Sequence, residues 1–123
     1  MIGYVTLGTN DIDKSTAFYD ELFSEIDAKR IMTEAHIRLW STAPGAAMLA
    51  VIKPYNGEVA TVGNGTMVAL DVDNAENVAK LHAKVLALGG QDEGAPGPRG
   101  EGNMIFGYCR DLEGNKLAFY CRA

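Results

Sequence analysis

The strongest constraint on this chain is an internal repeat. Gly3-Tyr4-Val5-Thr6-Leu7-Gly8 aligns with Thr66-Met67-Val68-Ala69-Leu70-Asp71. At the same offset Asp11 falls on Asn74, Phe18 on Leu81, Tyr19 on His82 and Leu22 on Val85. Each copy reads as a short strand, a helix cap and an amphipathic helix. A strand–helix unit repeated within 123 residues points to two similar halves closing around one cavity, with function in what they turn inward.

The rest of each copy follows by pattern. Residues 2–8 form a strand, and Asn10, Asp11 or Asp13 caps a helix whose stripe is Phe18, Tyr19, Leu22, Phe23 and Ile26. Residues 28–33, 35–41 and 47–55 read as three more strands, giving βαβββ over about 1–55. A polar, glycine-containing linker over 56–64 leads to the second module, about 65–123, the whole forming one domain. There Asp73 or Asn74 starts the helix, with Asp73 and Glu76 at capping-box spacing. Val78, Leu81, His82, Val85 and Leu88 form its stripe, and Gly89-Gly90 stops it. A short strand near 91–93 and strands over 103–110 and 116–122 complete a second βαβββ. Late in the repeat Gly45 matches Gly114, so the second copy is longer, most simply in the Gly/Pro-rich loop 95–102 that carries Arg99 and Glu101.

Composition limits the partners. A net charge of −5 with no Lys/Arg cluster argues against nucleic acid, because nothing could track phosphates. No stretch approaches the roughly 18 apolar residues that span a bilayer, so no membrane partner is expected and a cytoplasmic location is. Cys109 and Cys121 sit on neighbouring strands around the Asp111–Asn115 turn, with Cys109 near residue 117 or 118. They are too far apart for a disulfide, and both are expected to be reduced.

Four segments carry a family resemblance: "YVTLGTNDIDKSTAFYDELF", "GTMVALDVDNAENVAKLHAKVLALGG", "DEGAPGPRG" and "YCRDLEGNKLAFY". In this order and spacing the chain resembles the glyoxalase/bleomycin-resistance/extradiol-dioxygenase group, the vicinal oxygen chelate superfamily. The resemblance implies an α+β fold of two βαβββ modules, with curved mixed sheets, helices outside and a site on the concave side. It also implies a homodimer and, in metal-dependent relatives, a divalent ion held by His and Glu from both modules. Those ligand positions fall here on Tyr4, on Leu49 or Ala50, on Met67 and on Ala118. Divalent ions of this kind need imidazole nitrogen or carboxylate oxygen. A thioether and aliphatic groups supply neither, so no metal and no other cofactor is expected.

What replaces the metal is read from the remaining residues. The strand His36-Ile37-Arg38-Leu39-Trp40 alternates. With Ile37 and Leu39 on the helix side, His36, Arg38 and Trp40 face the cavity. Tyr4, Met67, Ala118 and Tyr120 join them by family position or alternation, and Arg99 reaches over from its loop, with Glu101 as a surface partner. These residues are the expected ligand-binding set, with His36 and Tyr4 the candidate acid/base groups. His82 reads as a helix-packing histidine, and Cys109, which matches Trp40 in the repeat, as an inert small hydrophobe.

The resulting expectation is a metal-independent small-molecule-binding protein of this family. The alternative is a lyase, isomerase or dioxygenase of the same superfamily, metal-free or with ligands relocated to His36 and to carboxylates such as Glu34 or Asp71. A third reading is an interaction domain with a vestigial cavity.

Overall fold

The computed structural model describes residues 1–123, which divide into two compact units, Met1–Val62 and Gly63–Ala123. In the first unit the order is β1 (Tyr4–Gly8), α1 (Ile12–Ser24), β2 (Lys29–Thr33), β3 (Ile37–Ser41) and β4 (Met48–Ile52). In the second it is β5 (Val68–Asp71), α2 (Ala75–Ala87), β6 (Gln91–Pro98), β7 (Met104–Arg110) and β8 (Lys116–Arg122). Each unit is a βαβββ module with one four-stranded mixed sheet, ordered β1-β4-β3-β2 in the first and β5-β8-β7-β6 in the second. In both, the strand before the helix pairs in parallel with the last strand, and the other pairings are antiparallel. The helix is the crossover that a parallel pair requires.

Helix α1 begins where Asp11, in extended conformation, accepts the Lys14 N–H on its carboxylate at 3.1 Å. A buried pair of hydroxyls, Thr9 and Ser15 at 2.7 Å, ties that first turn to the end of β1. Phe18, Tyr19, Leu22 and Phe23 are buried along one stripe, each stabilising the unit by about 1.5–3 kcal/mol relative to exposure. Helix α2 starts at Asn74, whose side chain accepts the Asn77 N–H at 2.8 Å. The capping box expected from Asp73 and Glu76 does not form. Asp73 sits at φ 79° with its N–H on the Asp71 carboxylate, so it belongs to the turn before the cap. The helix ends in a Schellman motif. Gly90 N–H reaches Val85 C=O at 2.8 Å, Gly89 N–H reaches Leu86 C=O at 3.1 Å, and Gly89 takes φ 97°.

The register sorts every strand residue onto a helix side or an open side. In the first sheet Arg38 lies opposite Val51, and Trp40 opposite Leu49. Trp40 is 1% exposed. Its ring packs 5.6 Å from that of Tyr19 and 6.1 Å from that of Phe23, and its Nε1–H donates to Asp20 at 2.9 Å. The expected face assignment of β3 is therefore reversed: Trp40 and Arg38 lie on the α1 side, and Ile37 and Leu39 on the open side. The indole offers the largest apolar surface on the strand and finds an aromatic cluster plus a hydrogen-bond acceptor beneath α1, which outweighs burying two aliphatic groups there.

The second module departs from expectation in its longer segment. The strand expected near 91–93 runs on to Pro98, with register shifts between Asp92 and Gly94 and between Gly94 and Gly97. The additional residues thus extend a bulged edge strand rather than an open loop. The turn between β7 and β8 is built on buried Asp111. Its carboxylate accepts the N–H groups of Glu113 and Asn115 at 2.9 Å and the Asn115 side-chain amide at 3.0 Å.

Candidate ligand-binding face

In the second sheet the α2 side combines two small residues on β7 with large apolar ones on β8. Gly107, Cys109, Leu117 and Phe119 are buried there, and a Cβ on Gly107 would lie 3.5 Å from both His82 and Val78. By alternation the open side carries Phe106, Tyr108, Ala118 and Tyr120. The Phe106 ring stacks on Tyr108 with centroids 5.7 Å apart and planes 8° from parallel, and on Tyr120 at 5.2 Å and 16°. All three rings are half-buried. They form a tier of parallel plates across β7 and β8.

Two cations border this tier. The Arg99 guanidinium and the Lys116 ammonium each lie 5.6 Å from the Tyr108 ring centroid, within cation–π range. Arg99 folds back along β6, where its N–H groups donate to the carbonyls of Ala95 at 2.6 Å and Pro98 at 3.1 Å. Glycines open that path. A Cβ on Gly94 would lie 2.9 Å from the Tyr108 ring and 3.5 Å from the guanidinium, and one on Gly97 would lie 3.3 Å from it. The expected partner Glu101 is not used. Beside the tier, Arg110 is neutralised by Glu93 at 2.5 Å.

The remaining expected site residues are dispersed. His36 lies on the exposed turn before β3, where its carbonyl accepts the Lys53 N–H. Arg38 is largely covered, with a guanidinium nitrogen 3.7 Å from Asp13 of α1, a bond to the Glu34 carbonyl and a buried Nε without a partner. Trp40 is core. Ala118 is on the open side by register but fully buried, so it offers no surface to a ligand. Tyr4 (57% exposed) and Met67 (40%) are accessible. Tyr120 belongs to the tier and Arg99 borders it. Phe106, Tyr108 and Lys116 were not singled out from sequence, although Phe106-Gly107-Tyr108-Cys109 alternates ring with small residue, a pattern that already separates two faces.

His82 is a packing residue, 6% exposed on the α2 stripe, with Nε2 3.0 Å from Asp92 Oδ1. The Gly94 N–H, then the His82 bond, hold the Asp92 carboxyl below its ordinary range against a smaller opposing effect of desolvation. This pair fastens the start of β6 to α2. Cys109 is buried against α2, and like its repeat counterpart Trp40 it faces the helix. Burial, followed by the nearby Asp111 and Asp92 carboxylates, pushes its thiol up to about 12. Cys121 is also free and buried. Ellman's reagent should therefore find no fast-reacting thiol in the folded protein and both thiols in denaturant. One fast thiol under native conditions would contradict this burial.

The positions that the resemblance assigns to metal ligands carry a phenol, a thioether and aliphatic groups, which are not the donors that zinc and similar ions take. Register places Ala50, not Leu49, on the open side with Thr6 and Leu39, so of those two alternatives Ala50 is the one that shares a face with Tyr4. No three His, Cys, Asp or Glu side chains stand together as a ligand group. The first unit also has an open groove of about 630 Å³ at one sheet end, lined by Ile2, Lys29, Ile31, Ser41 and Met48 among others, but it presents no comparable convergence of rings and charge. No helix is long and apolar enough to cross a membrane.

Paired βαβββ modules, each with a helix on one face of its sheet and an open face on the other, define the vicinal-oxygen-chelate class of folds. The chain belongs to the Glyoxalase/Bleomycin resistance protein/Dioxygenase superfamily, whose family profile matches residues 1–119. It is similar to a glyoxalase/bleomycin resistance protein from Albidiferax ferrireducens T118, with 30% identity, TM-score 0.91, and 100% of this chain and 99% of that one covered. At 21% identity it shares the fold of a lactoylglutathione lyase from Agrobacterium tumefaciens (TM-score 0.72, 98% and 92% covered). At 18% it shares that of a genomically encoded fosfomycin resistance protein from Listeria monocytogenes (TM-score 0.73, 100% and 93% covered). No curated protein matches the chain in sequence.

Proposed function

We propose that this chain is a metal-independent small-molecule-binding protein that takes its ligand on the open face of the second sheet. The observation that carries this reading is the tier Tyr108–Phe106–Tyr120, three nearly parallel rings with two cations at Tyr108. Aromatic plates with a few placed charges are how proteins hold small organic molecules. The donor chemistry at Tyr4, Ala50, Met67 and Ala118 supports independence from a metal.

An enzymatic reading, as a lyase, isomerase or dioxygenase like the relatives named, requires a base held against a reacting atom. His36 is on an exposed turn, and Tyr4 has Met48 and Thr6 as neighbours on its own sheet face, neither of them a base. Binding is therefore the better supported reading. We place the protein in the cytoplasm as a homodimer. Its two free thiols fit a reducing compartment, and the family resemblance supports the dimer.

Metal analysis of the purified protein, with a thermal-shift titration of divalent ions, tests this reading. The expected result is no stoichiometric metal and no stabilisation by zinc, nickel, manganese or iron at low concentration, since only an ion bound to the folded state raises its melting point. Stoichiometric metal, or a saturable shift, would overturn metal independence.

A further inference from the structure

We propose that the open face of the second sheet selects planar aromatic anions, the ring stacking on the Tyr108–Phe106–Tyr120 tier and the anionic group meeting Arg99 and Lys116; this rests on the small-molecule-binding reading above. Each neighbouring pair of rings is aligned within 16°. Such plates favour a flat, unsaturated guest over a globular aliphatic one, because offset stacking needs a parallel partner.

Charge then decides among flat guests. Three of the four other arginines are matched by carboxylates, Arg30 by Asp20 at 3.1 Å, Arg38 by Asp13 at 3.7 Å and Arg110 by Glu93, and the fourth, Arg122, stands exposed near the end of β8. Arg99 and Lys116 form no ion pair, and both converge on one ring in a chain whose net charge is −5. Arg99 is also held in place before any ligand arrives, by the carbonyls of Ala95 and Pro98 over the gap left by Gly94 and Gly97. Those two bonds leave part of its N–H fork for an incoming carboxylate. A cationic aromatic guest would be repelled here. A neutral one would stack but leave the guanidinium and ammonium without a counter-charge. The class that satisfies both features is an aromatic carboxylate or a comparable planar anion.

Isothermal titration of the full chain with 2-naphthoate, 2-naphthamide and 2-naphthylmethylammonium tests this, because the three share a ring system and differ in charge. The expected result is that 2-naphthoate binds about tenfold tighter than the amide, that the ammonium is weakest, and that the preference shrinks in high salt. In the double variant Arg99→Gln/Lys116→Gln, whose side chains are part-exposed and whose fold a thermal melt checks, carboxylate and amide should bind alike. Equal binding of the first two by the native protein, a preference for the ammonium, or no binding of any probe would each overturn anion selection. So would a carboxylate preference that survives in the double variant, since the anion would then be read elsewhere. The metal measurement tests the parent reading separately, so the two can fail independently.

Discussion

Replacing Trp40 with alanine should cost the protein about 3–5 kcal/mol of stability, the range for emptying a buried aromatic site. The side chain is 1% exposed, packed on Tyr19 and Phe23, and hydrogen-bonded through its indole N–H to Asp20. Set against a total of about 5–15 kcal/mol for a domain, the loss should lower the melting temperature by more than about 10 °C. Trp40→Phe keeps a ring against Tyr19 and loses the bond to Asp20, so its cost should be nearer 1–2 kcal/mol. Circular dichroism melts of the three proteins decide the matter. If the alanine variant melts with the native protein, the indole is not core, and the face assignment read from alternation alone would be restored.

That assignment shows where sequence pattern stops being informative. The α1 stripe was legible because Phe18, Tyr19, Leu22 and Phe23 recur at helical spacing with polar residues between them. In β3 both faces carry apolar residues, Ile37 and Leu39 on one and Trp40 on the other, so period-two alternation does not say which face meets the helix. The tie is broken by partners distant in sequence: Tyr19 and Phe23 beneath the ring, Asp20 at its nitrogen, and Asp13 beside Arg38. The repeat did contain a clue. Trp40 aligns with Cys109, and Gly107 and Cys109 are the small groups beneath α2, so the helix side of one module predicts that of the other.

The aromatic tier was half legible. Tyr120 and Arg99 were reached by alternation and by the Gly/Pro-rich segment. The register that sets Phe106 opposite Tyr120 depends on the Asp111–Asn115 turn, and the bulges in β6 bring Arg99 back over Tyr108. Bulges add residues without a fixed sequence signature, so a reach from position 99 to position 108 is not visible from spacing. Donor chemistry at the positions that the resemblance assigns to a metal is different in kind, because it is a property of residue type. Tyr4, Met67 and Ala118 could be judged without coordinates, and only the choice between Leu49 and Ala50 required the register.

Phe106 is the plate shared by both stacked pairs, so its loss should release Tyr108 and Tyr120 from their parallel alignment and do most damage to binding. Phe106→Ala is expected to weaken 2-naphthoate by about 30- to 100-fold, equivalent to about 2–3 kcal/mol and typical of an aromatic anchor. The cost to the fold should be modest, because the ring is half-buried and stands on the face away from α2. Phe106→Leu separates two causes of such a loss. Leucine restores apolar surface but not a flat partner, so stability should return while affinity stays low. If leucine restores affinity as well, the tier binds by apolar area rather than by stacking, and a flat guest has no advantage there. Affinity unchanged in the alanine variant would remove this face from the binding site and leave the first-unit groove beside Lys29 and Met48 as the place to look.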